Sequence, residues 1–211
     1  MGNIYAVGDI HGCLDKLERL LAKIDPDPMR DQLIFLGDYI DRGPSSYEVV
    51  AYLISLKKRM PDTVFLKGNH EEMFLQYLSG IERHLFLTNG GKATLDSYMK
   101  NKACADESLI PPDHLQFFSA LGLYYQTGDY IFVHAGLREG VPLESQKSED
   151  LLWIRDAFIA SDYDFGKRVV FGHTPFSIPL VQPNKIGVDT GAVYGNRLTC
   201  VKLPEIVFFH V

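Results

Sequence analysis

Apolar and polar positions alternate between two kinds of run along this chain. Ile4-Tyr5-Ala6-Val7 is short and continuously apolar, the pattern of a buried strand. Leu14, Leu17, Leu21 and Ile24 then recur at helical spacing, and Asp25-Pro26-Asp27-Pro28 ends that helix. The unit repeats. Gln32-Leu33-Ile34-Phe35-Leu36 reads as a second strand, and Pro44 is placed to open a helix that buries Val49, Val50, Leu53 and Ile54 and stops before Pro61. Thr63-Val64-Phe65-Leu66 is a third apolar run, followed by a helical pattern from Glu71 to Leu78.

From Ser79 to about Gly122 the rhythm breaks. Thr94, Leu95, Tyr98 and Met99 predict one helix, and Leu115, Phe117, Phe118 and Leu121 another. We read residues 79–122 as a small, mostly helical cap, with added core-covering helices as the other reading. Strands then dominate. Leu123 to Gln126 and Tyr130 to Val133 flank Thr127-Gly128-Asp129 as a hairpin, and Glu149 to Ile159 reads as one helix. Val169 to Phe171, Ile186 to Val188, Leu198 to Leu203 and Ile206 to Phe209 complete the second half. With no repeat or linker visible, the order predicts one α/β domain over residues 1–211, built of two packed sheets with helices outside.

The polar residues change the picture, because they cluster where strands end. Asp9 and His11 lie between Gly8 and Gly12, and Asp38, Asp41 and Arg42 lie between Gly37 and Gly43. Gly68-Asn69-His70-Glu71, His134-Ala135-Gly136 and Gly172-His173 follow later strands. Extended backbone would point Asp9 and His11 the same way. Gly68 would allow a sharp bend that leaves Asn69 and His70 projecting from a strand end, where open α/β sheets put their sites. Any one of these loops could be an ordinary polar turn; their repeated context after strands favours chemistry. Asp9, His11, Asp38, Asn69, His134 and His173 offer imidazole, carboxylate and amide donors without thiolate, a set suited to Mn, Fe or Zn. Six ligands exceed one open catalytic ion and suit two ions sharing a carboxylate, a device for cleaving phosphate esters.

These motifs, in this order from position 8 to position 173, resemble those of the phosphoprotein phosphatase family of binuclear metallophosphoesterases. Leu152-Trp153-Ile154-Arg155, Val170 to Pro175 and Asp189-Thr190-Gly191-Ala192 look like its bacterial and phage branch. The resemblance implies a metallophosphoesterase-type sandwich, α/β/β/α. It implies that Asp9, His11 and Asp38 hold one metal, with Asp38 bridging to a second held by Asn69, His134 and His173. Arg42 and Arg155 would bind the substrate phosphate, with Arg138 competing for the second role. Asn69 would also face the substrate. His70 would be the general acid, oriented by Asp41. The expected cofactors are two divalent ions, Mn first and Fe or Zn as alternatives. A water between two such ions would be the nucleophile. The eukaryotic members' long C-terminal section is missing, so no eukaryotic-type regulatory subunit is expected.

Composition narrows the reading further. A net charge of -6 argues against a nucleic-acid or membrane-surface binder. There is no apolar run long enough to span a bilayer and no visible signal peptide. Cys13, Cys104 and Cys200 are widely spaced and fit neither a zinc pattern nor a disulfide framework, which suggests reduced thiols and a cytoplasmic setting. His84, His114 and His210 match no motif and read as structural or surface residues. The leading functional expectation is a serine/threonine protein phosphatase, extending to phosphotyrosine, whose partner is a phosphorylated protein or peptide. The alternative is a symmetrical dinucleoside-tetraphosphate hydrolase. Glu71, where those enzymes typically carry Asp, and the chain's shorter length lean against it. A non-catalytic phosphate-binding module is the third reading.

Overall fold

The computed structural model describes residues 2–102 and 108–211, so Cys104 lies outside the described residues. The chain runs β1 (Ile4–Val7), α1 (Leu14–Ile24), β2 (Gln32–Phe35), α2 (Ser46–Arg59), β3 (Val64–Phe65) and α3 (Asn69–Leu78). Next come α4 (Arg83–Phe86), a π-turn over Leu87–Gly91, α5 (Lys92–Lys100) and α6 (Pro112–Ser119). The hairpin of β4 (Tyr124–Thr127) and β5 (Tyr130–Val133) precedes α7 (Ser148–Trp153), α8 (Asp156–Ile159) and β6 (Arg168–Phe171). The chain ends in β7 (Leu180–Val181), β8 (Lys185–Gly187), β9 (Thr199–Leu203) and β10 (Val207–His210).

Two five-stranded sheets form, ordered β10-β9-β1-β2-β3 and β4-β5-β6-β8-β7. Each contains three parallel strands, β1-β2-β3 in one and β5-β6-β8 in the other. Alternation along the strands explains why the sheets stack. Leu33 and Phe35 of β2 join a core with Leu17, Leu20, Val50 and Leu53 of α1 and α2. Ile34, between them, faces the other way and meets Ala6, Phe132, Val170 and Ile186. On the second sheet Ile131 and Val133 pack with Leu151 of α7 and Phe158 of α8, while Phe132 points into the space between sheets. Period-two strands buried on both faces give helix, sheet, sheet, helix. This is the metallophosphoesterase α/β sandwich expected from the motifs.

Several elements depart from the sequence reading. The third strand is only Val64–Phe65, and α2 starts at Ser46, leaving Pro44 outside it. The run Glu149 to Ile159 is broken into α7 and α8, with Arg155 at the break in a non-helical conformation (φ −130°, ψ −100°). The short β7 carries too few apolar residues to be legible. Within 79–122 the described elements are helical. Phe86, Tyr98 and Phe118 pack around Phe74 of α3 at ring-centroid distances of 5.4, 6.2 and 5.2 Å. This segment therefore shares the first sheet's helical-side core. Cys13 and Cys200 are free thiols, and among the described residues no helix is long and apolar enough to cross a membrane.

Phe132 is fully buried between the sheets, so Phe132→Ala should cost about 3–5 kcal/mol of stability in denaturant unfolding. Val207→Ala, at a position 44% exposed on the edge strand β10, should stay within about 0.5 kcal/mol. Equal costs for the two would contradict the layered core.

Candidate metal centre

The motif loops leave the C-terminal ends of parallel strands in both sheets. β1 delivers Asp9 and His11, β2 delivers Asp38 to Arg42, β5 delivers His134 and β6 delivers His173. Asn69 and His70 are not on a strand end as expected. They form the first turn of α3, behind Gly68. Gly68 itself has ordinary extended backbone, φ −92°. A Cβ there would collide with Asp38 Oδ1 and the Asp38 backbone nitrogen, so its glycine serves close approach, not a sharp bend.

Backbone strain concentrates here. Eight non-glycine residues have left-handed φ among the described residues, and five belong to the site: His11 (47°), Asp38 (54°), Asp41 (72°), Arg42 (68°) and His173 (62°). Such conformations cost of order 1–3 kcal/mol each and persist where surrounding structure enforces them. Asp9 and His11 therefore converge through a turn at His11, not through extended backbone.

Asp38 is the centre of the geometry. His11 Nε2 lies 3.5 Å from Asp38 Oδ2, and His134 Nε2 lies 3.4 Å from Oδ1. Each ring is anchored through its other nitrogen: His11 Nδ1 donates to the Ile40 carbonyl at 2.8 Å, and His134 Nδ1 donates to the Leu36 carbonyl at 2.9 Å. A carbonyl only accepts, so each Nδ1 carries the proton. Burial pushes His11 down to about 3 and lowers His134, so both rings stay neutral. Each Nε2 then carries a lone pair beside one oxygen of the same carboxylate: the Arg42 guanidinium, 2.5 Å away, donates to that of His11, while that of His134 faces the oxygens of Asp38 and Asn69. Lone pair facing lone pair in a buried site is repulsive unless a cation lies between, and backbone-anchored imidazoles are the usual ligand arrangement.

The second sheet extends the cradle. Asn69 Oδ1 lies 2.9 Å from both His134 Nε2 and His173 Nδ1. His173 Nε2 is buried without a hydrogen-bond partner, and burial pushes that ring down to about 2. Ligand atoms of Asp38, His134 and His173 lie within 4.8 Å of one another, as do those of His11, Asp38 and His70. Asp38 belongs to both groups. Asp9 is in neither; its carboxylate accepts the His173 backbone N–H at 3.1 and 3.2 Å. Gly172 makes this approach possible, because a Cβ there would strike Asp9 Oδ1. Burial, then the charges of Asp189 and Asp38, raise Asp9 well above the carboxylate range. Two buried acids, Asp9 and Asp38, among neutral imidazoles are an environment that divalent cations would stabilise. The donor set therefore fits the divalent ions that the sequence resemblance implies.

The Asp38 loop is fastened by Glu71. Its carboxylate accepts backbone N–H groups from Gly68 at 2.9 Å, Asp38 at 2.9 Å and Tyr39 at 2.8 Å. The start of α3 adds the His70 N–H to Asp38 Oδ1 at 3.1 Å, a favourable helix N-terminus for an anion. Burial opposes ionisation of Asp38, and its carboxyl falls below the usual range only through positive charge at the surrounding imidazoles, His134 foremost; with those rings neutral, a bound cation would supply that charge.

His70 Nδ1 lies 2.6 Å from Asp41 Oδ2, with both side chains buried. Thr94 Oγ1 donates to Asp41 Oδ1 at 2.5 Å. Burial lowers the His70 pKa, but the Asp38 charge and the Asp41 bond outweigh it and the net shift is upward. Arg42 Nη1 sits 2.5 Å from His11 Nε2, and its Cζ lies 5.5 Å from the Tyr194 ring centroid. Arg155 is exposed at the α7–α8 break, near enough for its charge to lower His134 and His173. Arg138 pairs with Asp150 at 2.5 Å. Sequence reasoning missed Thr94, Glu71's bracing role and Asp189, which is buried and raised to about 6 by burial. Asp189 stood in a quoted motif and follows β8, as Asp9 follows β1; that strand-end position was the available signal.

Asp38→Asn should remove most bound metal by elemental analysis, because one oxygen of each pair loses its charge. Retention of full metal content would contradict a shared carboxylate. Glu71→Gln should destabilise the fold by about 0.5–1.5 kcal/mol, the worth of ordinary hydrogen bonds, since burial and the Asp38 charge push the Glu71 carboxyl up to about 7, and it should lower metal affinity through the Asp38 loop. An unchanged unfolding midpoint would contradict the bracing role.

Residues 2–203 match the family described as calcineurin-like phosphoesterase. The bis(5'-nucleosyl)-tetraphosphatase PrpE [asymmetrical] of Geobacillus sp. (strain WCH70) is 29% identical over 227 residues, covering 96% of this chain and 91% of that protein. Serine/threonine-protein phosphatase 1 of Salmonella typhimurium is 31% identical over 206 residues, covering 95% and 92%. A solved structure of a proposed diadenosine tetraphosphatase superposes with a TM-score of 0.79 at 26% identity, covering 100% of this chain and 93% of that one. The chain thus belongs to the calcineurin-like phosphoesterase family of metal-dependent hydrolases.

Proposed function

We propose that this enzyme hydrolyses dinucleoside polyphosphates, with asymmetric cleavage of the tetraphosphate chain. The observation that carries the chemistry is the Asp38 carboxylate facing a lone-pair imidazole on each oxygen, beside the His70–Asp41 pair. The substrate class draws support from relatives named as tetraphosphatases. Two sequence arguments against it lose their force. Glu71 braces backbone, so its identity does not report on the substrate. Length does not separate the chain from those relatives either, since the alignment spans 91% of the Geobacillus protein. The asymmetrical cleavage follows the names of those relatives and differs from the symmetrical hydrolysis that the sequence offered as its alternative reading. Phosphoprotein hydrolysis is the second reading, supported by the 31% identical relative from Salmonella.

In this reading Asp9, His11 and Asp38 hold one ion, and Asp38, Asn69, His134 and His173 the other, with Mn first and Fe or Zn as alternatives. Such ions supply Lewis acidity and an activated water. Arg42 and Arg155 neutralise the non-bridging phosphate oxygens, where charge builds. His70, kept protonated by Asp41 and Asp38, gives its proton to the leaving oxygen. A serine alkoxide needs that proton badly, whereas a polyphosphate leaving group is a weak base and needs it far less.

A kcat/KM panel with Mn should favour diadenosine tetraphosphate over phosphoserine peptides by at least about tenfold, with a nucleoside monophosphate and a nucleoside triphosphate as products. A tenfold preference for the peptides would overturn the substrate proposal in favour of the second reading. His70→Asn should lower kcat on phosphoserine peptides by about 10²–10⁴-fold, the usual contribution of general acid catalysis, and cost much less on p-nitrophenyl phosphate and diadenosine tetraphosphate. Equal losses on all three would assign His70 to substrate binding.

A further inference from the structure

Two exposed aromatic rings stand at opposite ends of the metal cradle. Tyr194 contacts Arg42 at 5.5 Å, and Arg42 reaches His11 at 2.5 Å. His11 and His134 flank Asp38, Asn69 joins His134 to His173, and the His173 ring meets Trp153 edge-on at 6.1 Å between centroids. Tyr194 already carries the Arg42 guanidinium against its ring. Among the described residues no cation sits over Trp153 in this way, and this single tryptophan of the chain is 37% exposed.

Trp153 also forms part of the wall of a cleft of about 480 Å³, shared with Arg138, Lys147, Glu149, Asp150 and Ile154. That volume lies within the range of small-ligand pockets, about 300–1,000 Å³. The cleft starts one ring away from His173, the outermost imidazole of the cradle. Its wall offers a flat indole for a base, with Lys147 for a phosphate oxygen and Glu149 for a ring amine or ribose hydroxyl beside it; Arg138 and Asp150 pair with each other at 2.5 Å, so a ligand would compete for that ion pair.

We propose that the Trp153 cleft is a nucleoside subsite, in which a purine base of the dinucleoside polyphosphate stacks on the indole while the phosphate chain runs past His173 into the cradle. This rests on the dinucleoside polyphosphate reading of the same site. Stacking is tolerant of base identity but favours the larger purine surface, so diadenosine substrates should bind more tightly than diuridine ones. The base also fixes where along the chain the reacting phosphorus lies, which gives asymmetric cleavage a physical origin: one end is held at a set distance from the metals.

The sole tryptophan makes the test direct. In the metal-loaded enzyme, a diadenosine tetraphosphate analogue with methylene bridges should quench Trp153 fluorescence, and inorganic tripolyphosphate should not. Trp153→Leu should raise KM for diadenosine tetraphosphate at least about tenfold (1.4 kcal/mol) more than it raises KM for p-nitrophenyl phosphate, and Trp153→Phe should restore most of the loss. Hydrolysis of diadenosine tetraphosphate with an unchanged KM in Trp153→Leu, or with no quenching of the wild-type protein by the analogue, would overturn the subsite and leave the substrate reading intact. Equal KM increases on both substrates would show that Trp153 only props His173, which also overturns it. Failure of the wild-type enzyme to cleave diadenosine tetraphosphate while cleaving phosphopeptides would remove the substrate reading itself and the subsite with it.

Discussion

A single buried carboxylate, Asp38, sets the terms for the rest of the molecule. It sits 2% exposed with a neutral imidazole against each oxygen, one from each sheet. Holding an anion there requires a donor to the carboxylate and a fixed loop: the His70 N–H in the first turn of α3 donates to Asp38 Oδ1, and Glu71 beneath the loop accepts the Asp38 backbone N–H. It also requires that both sheets stop at the same edge, since His11 comes from one and His134 from the other. The stacking of Ile34 against Phe132 and Val170 is what holds those edges in register. Core packing and metal chemistry are linked through that layer.

The left-handed residues at His11, Asp38, Asp41, Arg42 and His173 follow from the same demand. Short loops must turn several side chains toward one point within a few residues of a strand end, and relaxed backbone cannot do so. The strain is sustained by neighbours with no part in the chemistry. Thr94 and Ser46 both bond the Asp41 backbone N–H, at 2.9 and 3.2 Å, and Thr94 also fixes its carboxylate. The α4–α6 segment thereby reaches the His70–Asp41 pair through Thr94 while burying Phe86, Tyr98 and Phe118 in the core.

Much of this was legible in the sequence, for a local reason. Strands buried on both faces leave dense apolar runs, such as Ile4 to Val7 and Val169 to Phe171, and the polar residues that interrupt them at their ends stand out. Asp9, His11, Asp38, Asn69, His134 and His173 could be picked out in that way. Contacts between distant segments left no such mark. Thr94 meets Asp41 across 53 positions, and nothing in the sequence near either residue announces the pairing. The break at Arg155 was hidden because Glu149 to Ile159 keeps helical apolar spacing across it. The bracing role of Glu71 was hidden because its place in a motif says nothing about which way its carboxylate turns.

The central claim is that Asp38 bridges two cations, and anomalous diffraction from Mn-loaded crystals at the manganese edge examines it most directly. The account predicts two peaks roughly 3.5–4 Å apart, the usual spacing of paired catalytic ions, one toward His11 and one toward His134, with an Asp38 oxygen on each. A single peak, or two peaks of which only one touches Asp38, would contradict it.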